Sequence, residues 1–216
     1  MDKFTKLTGI AAPLPEADID TDIIFPARFL LLLEKKGLGK HLFHERRFLP
    51  SGAATDFVLN APPYSTAKIL IADANFGSGS SREQAIWALA DFGIRCIMAR
   101  SFGEIFYSNC FKNGVLPIIL GAQDHANAMS AAATGQPLTI DLENRTVTLP
   151  DGPAICFDID RYCRRALMLG LDEIGVILAE DAGDIAAFEA RHRRSAPWLF
   201  LDDGRLDWLF VGEGTK

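Results

Sequence analysis

Apolar and polar positions follow three different rhythms along this chain of 216 residues. Residues 67–72, AKILIA, form a short run rich in branched aliphatics and bounded by Asp73 and Asn75, which predicts a buried strand. The glycine-rich stretch NFGSGSS, residues 75–81, leads directly into REQAIWALADFG, where Ala85, Ile86, Leu89 and Phe92 fall at helical spacing and Gly93 supplies a stop. A second strand is predicted over 95–99, a second helix over 102–111 ending at Gly114, and a third strand over 115–120. An earlier strand is expected within 4–14, running into the punctuation of Pro13 and Pro15. Strands that alternate with helices imply right-handed crossovers and a parallel β core.

Further along, PLTIDLENRTVTLPDGPAICFDI alternates apolar and polar residues around turns at Glu143-Asn144 and Asp151-Gly152, the pattern of an antiparallel meander. Helices are expected over 159–170, with Arg161, Arg164 and Arg165 on the polar side, and over 182–194. No internal repeat is present. The segment after Ser195 carries Trp198, Phe200, Trp208 and Phe210, too aromatic for a free linker, and is expected to pack. One stretch obeys none of these rhythms. Leu30, Leu31, Leu32 and Leu33 follow Phe29 directly, more than one helix face needs, so they require burial on several sides or an apolar ligand or partner. The fold class is therefore α/β, with a parallel β core, flanking helices and an antiparallel β meander.

Charge narrows the function classes. Lys and Arg total 22 against 28 for Asp and Glu, a net charge of −6, so the basic excess of a nucleic-acid binder is missing. No run approaches the about 20 apolar residues of a membrane span and the start of the chain lacks a signal-peptide core, which predicts a cytoplasmic protein with no membrane partner. Cys96, Cys110, Cys156 and Cys163 are dispersed, with no CxxC, and are expected to be buried thiols without a metal. They do not form the compact set that usually holds an iron-sulfur cluster.

The glycine-rich loop is the most informative stretch. Gly77 and Gly79 let backbone amides approach a ligand, the following helix N-terminus favours negative charge, and Arg82 adds a planar fork suited to a carboxylate or phosphate. A dinucleotide site fits poorly, because GSGSSR lacks the third glycine and Arg100 rather than an acid ends the next strand. A Walker loop is excluded by the missing GKS or GKT, which leaves small carboxylates as the better ligand. Ser80 with Glu83, or Ser81 with Gln84, also meets the capping-box spacing, so a structural role stands beside a chemical one. In DIDTD the acids Asp18, Asp20 and Asp22 fail the calcium-loop test, since Ile23 and Phe29 stand where Gly and Glu are required. An acid-rich turn that bonds its own backbone is the structural alternative.

DIDTDIIFPARFL, NFGSGSSREQA and SFGEIFYSNCFKNGVLPI, in this order, resemble the small subunit of 3-isopropylmalate dehydratase, the separate-chain counterpart of the swivelling C-terminal domain of aconitase. The likeness covers residues 4–200, a swivelling β/β/α domain, and leaves 201–216 as an extension of unknown role. It implies a partner large subunit that holds a 4Fe-4S cluster on its own cysteines, with none bound by this chain. It also implies that Ser80 is the base that removes the proton α to a carboxylate. Ser81 and Arg82, with the backbone at Gly79, would hold the substrate carboxylate, and Asp22 would support acid-base groups of the large subunit.

Aconitase-like domains acting on citrate place an arginine a dozen or so residues after the TD motif. This chain has Leu30 to Leu33 in that neighbourhood, so Leu31 and Leu32 are candidates for an alkyl pocket. Burying an isopropyl group there gains about 2 kcal/mol, whereas a carboxylate would be unpaired. The expected reaction is interconversion of 2-isopropylmalate and 3-isopropylmalate through isopropylmaleate in leucine biosynthesis. The chain departs from the family pattern at Ala27, Arg28, Ser78 and Gln84, so a paralogous hydratase for citraconate, methylmalate or dimethylmalate stays open. A phosphate or dinucleotide binding module is the more distant alternative.

Overall fold

The computed structural model describes residues 1–32, 34–79 and 82–200. Along the chain run β1 (Lys6–Leu14), α1 (Thr21–Ile24), α2 (His44–Arg47), β2 (Ile69–Ala72), α3 (Glu83–Phe92), β3 (Cys96–Ala99), α4 (Glu104–Lys112), β4 (Leu116–Ile119) and α5 (Ala122–Ala133). Then come β5 (Pro137–Asp141), β6 (Thr146–Thr148), β7 (Ile155–Cys156), α6 (Arg161–Leu169), α7 (Glu173–Glu180) and α8 (Ala182–Ser195). The seven strands lie in the order β4-β3-β2-β1-β5-β6-β7. The first four are mutually parallel and β1, β5, β6 and β7 are joined antiparallel, as the alternation of patterns predicts.

β1 is the pivot of this sheet. Its first half, through Ile10, pairs antiparallel with β5, and its second half, Ala11 to Leu14, pairs parallel with β2. Period-two alternation then sends Ile69 and Ile71 to one face and Leu70 and Ala72 to the other, and all four are fully buried. One face packs under α3 with Phe25, Phe43 and Phe76; the other packs under α5 with Leu138, Ile140 and Leu167. Each buried Leu, Ile or Phe contributes roughly 1.5–3 kcal/mol. Buried His125 of α5 donates from Nε2 to the carbonyl of Ala72 at 2.7 Å and fixes that helix to the end of β2.

Four helices had no expected counterpart. α1 and α2 are single turns of four residues, too short to show a periodic signal. α5 buries His125, Ala128 and Ala132, a stripe of small residues that carries little hydrophobic signal in the sequence. α7 is a short apolar run whose type periodicity alone does not decide. Residues 1–173 form one compact unit and the described residues from 174 to 200 belong to a second, in which Phe188 stacks on His192 and Trp198 is exposed. Packing of Trp198 is thus not observed, whereas Phe200 sits edge-on to His192 with ring centroids 5.8 Å apart and the Arg193 guanidinium over it, and Trp208 and Phe210 lie outside the described residues. Among the described residues no helix is long and apolar enough to cross a membrane.

The expectation of four buried thiols is corrected. Cys96 and Cys110 are buried, and burial pushes both thiols well above their ordinary range, but Cys156 is exposed at the end of an edge strand and Cys163 is half-buried on α6. Thiol titration at pH 8 is expected to modify Cys156 quickly in the native chain, with Cys96 and Cys110 reacting only after denaturant unfolds it. Rapid native-state modification of Cys96 would contradict this packing.

Candidate active site

The site lies at the carboxyl ends of the parallel strands, where open α/β sheets generally present ligands. The chain leaving β1 and the chain leaving β2 run side by side and exchange backbone bonds. Asp73 N donates to Glu16 O (3.2 Å), Asp18 N to Ala74 O (2.9 Å), Gly77 N to Ile19 O (2.7 Å) and Thr21 N to Ser78 O (3.0 Å). On the other side, Phe76 N donates to Ser101 O (3.1 Å) and Gly103 N to Phe76 O (2.9 Å). The glycine-rich loop is thus held between the turns that follow β1 and β3. Glu16 also pairs with Arg46 of α2, which holds its carboxyl below the usual carboxylate range.

Two glycines make this possible. Gly77 has φ +73 and its missing side chain faces the Phe106 ring, which a Cβ would meet at 2.2 Å. Gly103 passes the loop so closely that a Cβ would stand 2.6 Å from Gly77 O. Gly79, at φ +92, has Asp20 and Thr21 as its neighbours and brings the loop over the acidic turn.

The three acids of that turn have separate tasks. Asp20 caps α1, its Oδ1 accepting from Ile23 N at 2.8 Å. Asp18 takes the Asn75 side-chain amide at 2.7 Å, and both residues occupy the left-handed region. These two fit the structural reading. Asp22 is left in the first turn of α1 and forms an ion pair with Arg82. The Arg82 side chain is mostly buried and its Nη1 is shielded from solvent against Asp22 Oδ1. Asp22 is half exposed, so the pair presents its carboxylate edge outward. The remaining N–H groups of the guanidinium fork give Arg82 the chemistry to grip a second carboxylate.

Of the sequence-predicted site residues, Asp22, Gly79 and Arg82 are therefore brought together. Ser80 and Ser81 lie outside the described residues. Helix α3 begins at Glu83 with Arg82, in extended backbone (φ −85, ψ 100), at its N-cap. Both serines of the capping-box expectation thus lie outside the described residues; the Glu83 carboxylate accepts from Asn113 Nδ2 at 2.9 Å and Trp87 Nε1 at 3.3 Å. Of the two alternatives for the leucines, burial within this chain does not hold for two of them. Leu31 is 89% and Leu32 39% exposed, while Phe29 and Leu30 pack against the core and Leu33 lies outside the described residues. Backbone bonds from Leu30 N to Ala27 O and Leu32 N to Phe29 O turn the segment back over a 3-10 helix, leaving its crest in solvent.

Sequence reasoning missed Asn75, Ser101 and buried Thr21. Ser101 Oγ accepts from Asn75 N at 2.8 Å and so ties the loop to the end of β3. The available signal was topological: residues that immediately follow neighbouring parallel strands must converge. Among the described residues no three His, Cys, Asp or Glu side chains gather as a metal site. With Cys96 and Cys110 sealed as neutral thiols inside the core, the cysteines do not fit a cluster.

Comparison with known proteins decides the family. A model of the aconitase C-terminal domain matches residues 1–123, one described as LeuD_N matches 129–161, and one of the C-terminal domain of the 3-isopropylmalate dehydratase small subunit matches 178–202. The 3-isopropylmalate dehydratase small subunit of Paracoccus denitrificans is 51% identical over 202 residues, covering 92% of this chain and all of the relative. Those of Dinoroseobacter shibae and Brucella anthropi are each 52% identical with the same coverage. This chain belongs to the 3-isopropylmalate dehydratase small-subunit family. A crystal structure titled 3-isopropylmalate dehydratase from Methanocaldococcus jannaschii superposes with a TM-score of 0.63 at 23% identity, over 84% of this chain and 99% of that one, and so shares the fold.

For this family member the glycine-rich loop makes a sharp stability test. Gly77→Ala places a Cβ against Phe106 at a positive φ, and is expected to cost about 1–3 kcal/mol in urea unfolding. Gly52→Ala, which meets nothing within 4 Å though also at positive φ, is expected to cost less; equal losses would deny the close approach.

Proposed function

We propose that this chain is the small subunit of a hydro-lyase that interconverts 2-isopropylmalate and 3-isopropylmalate through isopropylmaleate in leucine biosynthesis, working in the cytoplasm with a large subunit. The observation that carries the reading is the Asp22 and Arg82 pair beside the glycine-rich loop, in a chain that matches dehydratase small subunits over 92% of its length. The 4Fe-4S cluster belongs to the large subunit, and the part of this chain is the proton and the carboxylate.

Ser80 is the base. Its oxygen takes the proton α to the substrate carboxylate, the C–H electrons form the double bond of isopropylmaleate, and the hydroxyl leaves the adjacent carbon as water, protonated by an acid-base group of the large subunit. Serine is a very weak acid, so its alkoxide needs preorganised positive charge. Backbone amides at the start of α3 and the Arg82 guanidinium supply it, as they supply it to the charge that develops on the carboxylate. Ser81 and the backbone at Gly79 complete the carboxylate site. Asp22 keeps the Arg82 fork oriented before substrate arrives and supports acid-base groups of the large subunit. Leu31 and Leu32, exposed in this chain, become the wall for the isopropyl arm once the large subunit has closed over them.

The test is anaerobic co-expression with the cognate large subunit and hydration assays on isopropylmaleate, citraconate, dimethylmaleate and cis-aconitate. Isopropylmaleate is expected to be preferred. Preference for another acid would overturn the substrate and keep the proton chemistry. Ser80→Ala is expected to lower kcat by about a thousandfold or more without loss of the complex, and retained turnover would remove Ser80 as the base.

A further inference from the structure

The leucine segment is anchored at both ends. At its start Arg28 pairs with Glu45 and reaches His44 Nδ1 at 2.9 Å, while Phe29 stacks on His41 with ring centroids 4.0 Å apart. At its far end Lys35 Nζ lies 4.6 Å above the Trp87 ring and donates to Asn113 Oδ1 at 3.4 Å. Trp87 Nε1 donates to the same Asn113 oxygen at 3.0 Å, and Asn113 Nδ2 donates to Glu83 at 2.9 Å. Four residues on from Lys35, Gly39 N donates to Asp91 Oδ2 at 2.7 Å, and Gly39 lies so close to α3 that a Cβ would meet Phe92 N at 2.7 Å.

Glu83, Trp87 and Asp91 are one helical turn apart and form a single ridge of α3. That ridge starts directly after Arg82, the N-cap of the same helix. The chain from Lys35 to Gly39 is therefore registered against the element that positions the carboxylate-binding arginine, and Leu31 and Leu32 project between two fixed points.

We propose that this ridge is a specificity determinant for the alkyl arm: Lys35 on Trp87 and Gly39 on Asp91 set where Leu31 and Leu32 stand relative to Arg82. Lys35, Trp87 and Asp91 act as positioning residues and touch no substrate. The inference rests on the reading that Leu31 and Leu32 wall the alkyl site, and it adds which residues place that wall. Because the Lys35 contact is on the surface, its loss shifts the segment by an amount worth about two- to fivefold.

The experiment compares Lys35→Met, Lys35→Arg and Trp87→Leu in the co-expressed complex, with kcat/KM measured for hydration of isopropylmaleate and of citraconate. Lys35→Met and Trp87→Leu are expected to lower the isopropyl-to-methyl ratio about two- to fivefold, chiefly through KM for isopropylmaleate, and the double variant to add nothing further. Lys35→Arg keeps a cation over the ring and is expected to retain the ratio. Amide exchange over residues 29–36 is expected to quicken in Lys35→Met while β2 and β3 stay unchanged. An equal fall for both substrates, an unchanged ratio, or unchanged exchange in Lys35→Met overturns the proposal while the dehydratase reading stands. A wild-type complex that hydrates citraconate as well as isopropylmaleate overturns the substrate reading itself, and the proposal with it.

Discussion

The placement of the glycine-rich loop and of the Asp22 and Arg82 pair hangs on one clamp, in which backbone bonds hold that loop between the turn leaving β1 and the turn leaving β3. Gly77 gives its N–H to Ile19, Thr21 gives its own to Ser78, and Phe76 exchanges bonds with Ser101 and Gly103. These groups are interior or nearly so, where an unmade backbone bond is costly, and so the three strand ends cannot separate without losing several at once. The clamp requires glycine where a side chain would strike Phe106 or the backbone of Gly77. Only inside it do Asp22 and Arg82, far apart in the sequence, become an ion pair.

The division of β1 explains how such a clamp is carried by a modest domain. One half of the strand belongs to the antiparallel meander and the other to the parallel core. The two apolar clusters on opposite faces of the sheet then fix β1 and β2 from both sides. Rigid strands deliver short loops to one edge, and variation in function is confined to those loops. The leucine segment is the exception to the general burial of apolar residues. Its crest stays in solvent although Phe29 and Leu30 beside it are packed, and the anchors at Arg28 and Lys35 hold it there. A single exposed leucine is ordinary; two adjacent ones on a segment pinned at both ends suit a surface that a partner completes.

Much of the fold was legible because its signals are local. AKILIA reads as a strand and EQAIWALADF as a helix from spacing alone, and the meander announces itself by alternation around Asn144 and Gly152. α5 was not legible because its buried stripe is built from His125, Ala128 and Ala132, and small residues bury well without raising a periodic signal. The cysteines misled for the opposite reason: thiols resemble one another in sequence, while exposure depends on whether a strand is central, as for Cys96, or at the edge, as for Cys156.

The sequence by itself determined the strands, the helices α3, α4, α6 and α8, the glycine positions, the Arg82 fork and the family motifs, since each depends on residues within a few positions of one another. Tertiary structure decided which acid of DIDTD meets Arg82: Asp20 caps α1, Asp18 takes the Asn75 amide, and Asp22 pairs with Arg82. It also decided that Glu83 accepts from Asn113, and that Lys35 rests on Trp87. Those outcomes follow from where strands of the sheet end in space, and pairing across such distances is set by the register of the whole core rather than by any local pattern.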